Sequence, residues 1–182
     1  MSDKVTRIPD EHAIELANQI AAYLGSRKNR FCVVVGSFHL QESSVHAAQL
    51  SVGVPDSAVQ RCVFNAQIAA NTGVFTSELH DELLTNARQT LEQLGISWDI
   101  VQILGGGVPI SLSVEKDILG AAAVSIIGVP NPAMEQAALL VALSDNSTYV
   151  PCPMIDGEEM KEAFQKVFKI LNLIHFFSPK TK

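Results

Sequence analysis

The chain has 182 residues, a net charge of −6, and 47 % hydrophobic against 18 % charged residues. That is the size of one domain with a full core, and the negative balance argues against non-specific binding to nucleic acid or to an anionic membrane. No apolar run reaches the ~20 residues of a spanning helix, the first residues lack the apolar stretch of a secretory signal, and three cysteines without a C-x-x-C pair suit a reducing compartment. A cytoplasmic protein is expected.

In chain order, residues 1–8 read as a tail and 9–182 as a single domain. Pro9 to Leu24 has helical periodicity, with Ala13, Leu16, Ala17, Ile20 and Leu24 on one stripe and Gly25 as its stop. Phe31 to Phe38 is rich in β-branched residues and Val45 to Val52 alternates, so the two predict a hairpin. Asp56 or Ser57 is expected to cap a helix to about Asn71 that buries Val59, Cys62, Val63, Ala66, Ala69 and Ala70. Thr72 to Leu79 reads as irregular or short helix. Asp81 to Leu94 is amphipathic and Ser97 to Leu104 is a third strand.

A glycine triplet follows, Gly105, Gly106 and Gly107. Val108, Ile110, Leu112 and Val114 then alternate with smaller or polar residues, and Ile118 to Val129 is almost continuously apolar, which predicts a second hairpin. The glycines open a strand rather than a helix and no Lys-Ser or Lys-Thr follows, so they are not a phosphate loop. They are a backbone bend, either for packing alone or also to let a flat ligand approach. Asn131 and Pro132 fit the N-cap and first position of a helix that is apolar on nearly every side to Leu143. Ser144 to Pro153 reads as a loop, and Asp156 with Glu159 begins a last helix carrying Phe164, Phe168 and Ile174. The expected fold is α+β, a five-stranded antiparallel sheet flanked by helices.

Few residues suggest chemistry. His39 and His46 flank the first hairpin turn and can approach each other across it; otherwise they are two solvated histidines. His80, within Glu78-Leu79-His80-Asp81-Glu82, can belong to a cation site, though such clusters also serve as acidic helix starts. His12 near the first helix start and Cys152, in a Cys-Pro dipeptide, are the remaining metal candidates. Cys32 and Cys62 read as buried packing residues. Ser125 lies in a Val-Ser-Ile strand, not in a nucleophile elbow. Near the C-terminus, Phe176 and Phe177 cannot both face one core, so one is exposed or meets another subunit.

The order Gly-Gly-Gly-Val-Pro-Ile, a short turn, Ile-Leu-Gly-Ala and Val-Ser, then a helix carrying an acid resembles the GlcG/HbpS-like family of haem-binding, "haem-degrading domain" proteins. Gly106, Gly107, Pro109, Ile110, Leu119, Gly120, Ala121, Val124 and Ser125 carry the resemblance, which spans about Asp10 to Ser144. Asn65 stands where the family has lysine, Ile126 where it has glycine, and Glu135-Gln136 where an acidic pair or Asp is usual. The resemblance implies a profilin-like fold, a homo-oligomer, and haem or a related tetrapyrrole as ligand. It also places Asn65 and Glu135 by the ligand groove, as a hydrogen-bonding group and a base. Gly106, Gly107, Pro109, Ser125, His39 and His46 are the further ligand-binding candidates. Helix-surface roles for Asn65 and Glu135 are the alternative. Three functions follow: a small-molecule binding protein, a cofactor-independent enzyme on the same fold acting on a small organic or biosynthetic intermediate, or a non-catalytic assembly protein.

Overall fold

The β-branched run FCVVVGSF forms strand β1, Phe31–Phe38. It pairs with β2, Ser43–Leu50, on one side and β4, Ile118–Ile126, on the other. Strand β3, Gly107–Leu112, pairs with β4 and with β5, Tyr149–Pro151. Every pair is antiparallel, and the sheet order is β2-β1-β4-β3-β5. The structure is a computed structural model and describes residues 7–26, 30–38, 43–86, 104–112, 117–128 and 131–151. Both predicted hairpins are present and the α+β, profilin-like class holds.

Alternation along the strands divides the core into two layers. Val33, Val35, Val108, Ile110, Ala122 and Val124 face helices α1, Asp10–Ser26, and α4, Pro132–Leu143. Cys32, Val34, Ala121 and Ala123 face α2, Asp56–Thr72. The stripe Ala13, Leu16, Ala17, Ile20 and Leu24 is the buried face of α1, as its period requires. Asn131 caps α4, its side chain accepting from the Met134 amide at 3.2 Å.

Several local expectations are corrected. Gly25 does not stop α1; the helix runs to Ser26, whose hydroxyl donates to the Tyr23 carbonyl at 2.7 Å and closes the last turn. The N-cap of α2 is Pro55, with no side-chain cap, so Asp56 is the first helical residue and serves the helix dipole instead. Of the predicted stripe of that helix, Cys62, Ala66 and Ala69 are buried while Val59, Val63 and Ala70 are only partly so, and Phe64, Asn65 and Ile68 are fully buried instead. Helix α3, Thr76–Asn86, begins five residues before the predicted Asp81, because the Phe75 carbonyl accepts the amides of Glu78 and Leu79 and starts the turn.

The fifth strand is also relocated. The stretch 144–153, read as a loop, contains β5, a three-residue strand too short to show periodicity. Among the described residues β5 is an edge strand, a position that tolerates Pro151. Asn146 shapes the turn before it by accepting from the amides of Thr148 and Tyr149 at 3.0 and 2.8 Å. Leu104 lies outside any strand. The rest of the predicted third strand, residues 97–103, the second half of the amphipathic helix and the whole C-terminal helix lie outside the described residues.

Candidate functional site

Helix α2 carries only two charged residues, Asp56 in its first turn and Arg61; α4 carries only Glu135. An isolated charge on an apolar helix must reach water or a counter-ion, since burying it alone costs several kcal/mol. Arg61 and Glu135 find each other. The guanidinium donates from Nη1 to Oε2 and from Nη2 to Oε1 of Glu135, both at 2.6 Å, the two-pronged geometry in which this pairing is strongest. Glu135 is fully buried and the Arg61 side chain is 15 % exposed.

The pair is tied into the sheet. Arg61 Nη1 also donates to Ser125 Oγ at 3.1 Å, and the Ile126 amide donates to Glu135 Oε2 at 2.9 Å. Glu135 therefore accepts three hydrogen bonds and sits in the first turn of α4, where the helix dipole also favours an anion. One turn along α2, Asn65 donates to the Arg61 carbonyl at 2.9 Å and accepts the Gly105 amide at 2.7 Å. Thr76, at the start of α3, accepts the Gly107 amide at 2.8 Å.

The glycine triplet is the meeting point of these elements. Gly106 has φ of 74°, and a Cβ there would lie 2.1 Å from the Val124 carbonyl oxygen and 3.1 Å from Glu135 Cβ. A Cβ on Gly107 would lie 2.4 Å from the Asn65 carbonyl oxygen. The space beside these glycines is filled by the chain's own backbone, so the bend serves the close packing of α2, β4 and α4.

The structure thus brings Asn65, Gly106, Gly107, Ser125 and Glu135 into one cluster. Neither Asn65 nor Glu135 is on a helix surface: both are fully buried. Pro109 is a buried residue of β3, in register with Ala121 on β4. None of the described histidines is bonded to the cluster. His12 Nδ1 hydrogen-bonds the Tyr149 hydroxyl at 2.5 Å and with Glu15, Asn146 and Thr148 lines a small polar cavity of about 60 Å³. His46, its side chain 6 % exposed, pairs through Nδ1 with Asp10 at 2.5 Å. His80 pairs with Asp81 at 3.2 Å. His39 and Cys152 lie outside the described residues. Among the described residues, no three His, Cys, Asp or Glu side chains converge as a metal site.

Arg61 is the residue that sequence reasoning missed. Its signal was the pair of solitary opposite charges on two otherwise apolar helices.

Burial, and secondarily the charge of Glu15, raises the Tyr149 phenol above its ordinary value. The fold therefore favours the neutral phenol. Its contribution is fully present below about pH 10, where the unfolded chain's tyrosine titrates, and is lost as the pH rises through the folded value. Urea melts of the parent chain should lose stability above about pH 10 more steeply than those of Tyr149→Phe. Equal slopes would mean that Tyr149 ionises as freely in the folded chain as in the unfolded one.

A second feature lies along α4. Tyr23, Leu24, Ile126, Met134, Ala138 and Val141 line a mainly apolar cleft of about 310 Å³ between the end of α1, the end of β4 and α4. Ile126 and Met134 connect it to the cluster, one by its amide bond to Glu135 and the other as the neighbour of Glu135 in sequence. Met134 and Val141 are 47 % and 50 % exposed.

No protein-family profile matches the chain, and no curated protein matches it in sequence. Solved structures do match its fold. A double mutant of Streptomyces reticuli HbpS superposes with a TM-score of 0.59 at 16 % identity, over 79 % of this chain and 89 % of that one. Klebsiella pneumoniae protein ORFY gives 0.57 at 18 % identity, over 79 % and 95 %. PduOC, solved as a haem complex, gives 0.52 at 12 % identity, over 75 % and 94 %. The chain has the profilin-like fold of the GlcG/HbpS-like proteins. Among the described residues, no helix is long and apolar enough to cross a membrane.

Proposed function

We propose that this chain is a binding protein for a flat, largely apolar small molecule, with haem or a related tetrapyrrole as the first candidate. The observation that carries the reading is the mainly apolar cleft along α4, lined by side chains of α1, β4 and α4. Pockets for such ligands are mainly apolar with a few placed polar groups. Leu24, Ile126, Ala138 and Val141 would cover an apolar ring face, and Tyr23 and Met134 supply a phenol and a thioether, both side-chain types that ligate haem iron. The fold shared with PduOC, solved with haem, supports the same ligand class.

The enzyme alternative has less support. Each Glu135 oxygen already accepts from Arg61, so taking a proton from a substrate would first require breaking a buried ion pair. A homo-oligomer and a cytoplasmic location remain part of the proposal, resting on the C-terminal aromatics and the cysteine usage.

Titration of the purified chain with haemin, with mass measured by size exclusion, tests the reading. The expected result is a saturable Soret shift that weakens by about tenfold or more in Val141→Asp, which places a charge in the apolar wall. A folded chain without a saturable shift would remove haem. A shift indifferent to Val141→Asp would place the ligand elsewhere.

A further inference from the structure

Two thiols meet in the layer between α2 and the sheet. Cys32 on β1 and Cys62 on α2 are both fully buried and unbridged, and both belong to one packed cluster. The layer is built of small residues, Ala66, Ala69, Ala121 and Ala123 beside Val34. These let the helix approach until Cys62 Sγ lies 3.1 Å from the Ala123 carbonyl oxygen and 3.5 Å from that of Cys32.

The two sulfurs are not equivalent. Burial, then the neighbouring Cys32, pushes the Cys62 thiol well up, whereas the neighbouring Cys62 thiol holds Cys32 below its ordinary value against the opposing effect of burial. Cys32 is thus the better nucleophile and Cys62 the partner that keeps its proton. Their placement ties them to the charged cluster. Cys62 follows Arg61 in sequence, and Cys32 lies opposite Ser125 in the β1–β4 ladder, whose hydroxyl accepts from Arg61.

We propose that Cys32 and Cys62 are a redox modification site, in which a small hydroperoxide converts the dithiol into an intramolecular disulfide that ties β1 to α2 beneath the Arg61–Glu135 pair. The Cys32 thiolate attacks one oxygen of hydrogen peroxide. The O–O bond breaks, the departing hydroxide takes up the proton that Cys32 released, and Cys32 becomes a sulfenic acid. The Cys62 sulfur then attacks the Cys32 sulfur. The S–S bond forms, the S–O bond breaks, and the leaving hydroxide takes the Cys62 proton as water. Two thiols lose two electrons and one peroxide becomes two waters. Full burial selects an oxidant of about the size of water over a bulky disulfide.

The test uses the full chain carrying Cys152→Ser, so that only this pair of thiols remains. After hydrogen peroxide treatment the expected result is loss of both thiols, a mass decrease of about 2 Da for the two hydrogens removed, and a linked Cys32–Cys62 peptide that a dithiol reductant separates. With Cys62→Ala added, a sulfenic acid should accumulate at Cys32, trapped by dimedone when the oxidised chain is unfolded in urea. Two thiols left intact in the folded chain, at a peroxide dose that oxidises the urea-unfolded chain, would overturn the proposal. A linkage found only between chains would do the same. The readout is the thiols themselves, so it stands or falls apart from haem binding.

Discussion

Replacing Glu135 by alanine should cost about 3–5 kcal/mol of folding stability, the usual loss when one partner of a buried ion pair is removed. The cost comes less from the lost attraction than from what remains. Arg61 would keep a guanidinium only 15 % exposed with no carboxylate beside it, and the Ile126 amide would lose its acceptor. For a chain of this length that loss lowers the melting temperature by roughly 6–20 °C. Removing both charges together, as Arg61→Met with Glu135→Leu, should recover most of it, because a well-packed apolar pair of similar volume is often as stable as the ions it replaces. Urea melts of the single and double variants measure the difference. A single-variant loss under about 1 kcal/mol, the range of an exposed pair, would mean that the charges are solvated.

Gly106→Ala is the second large effect. The new Cβ would stand 2.1 Å from the Val124 carbonyl oxygen, and φ is 74°. A β4 carbonyl cannot retreat easily: Val124 is in register with Val33 on β1, and its own amide donates to the Gly106 carbonyl at 2.9 Å. Strain from the left-handed conformation and overpacking each contribute about 1–3 kcal/mol, so a loss of roughly 2–6 kcal/mol is expected. Gly128→Ala isolates the first contribution. Its φ is 87° and nothing lies within 4 Å of the added carbon, so it should lose only about 1–2 kcal/mol. Equal losses at the two positions, read from thermal or urea melts, would show that the Val124 carbonyl yields freely.

These two sites mark the boundary between what was legible in the chain and what was not. The buried stripe of α1, both hairpins and the Asn131 cap of α4 follow from periodicity and from short-range backbone chemistry, and all are present. The bend at the triplet was legible for the same reason, since three consecutive glycines in front of an alternating strand signal unusual backbone. What crowds against it was not legible, because the Val124 and Asn65 carbonyls come from elements far along the chain. The strand β5 escaped because three residues carry no period and Pro151 reads as a breaker unless it is known to lie at an edge.

The sequence alone determined the buried stripe of α1, where most of the described chain turns, and that the strands form an antiparallel sheet with helices against it. It also contained the two solitary charges of α2 and α4. Only the tertiary structure decided that Arg61 and Glu135 neutralise each other, 74 positions apart. It likewise decided that Asn65 faces the glycine bend rather than solvent and that Cys32 meets Cys62. The reason is physical: periodicity states which face of an element is buried, while the partner across that face depends on sheet order and helix placement, which no local signal encodes.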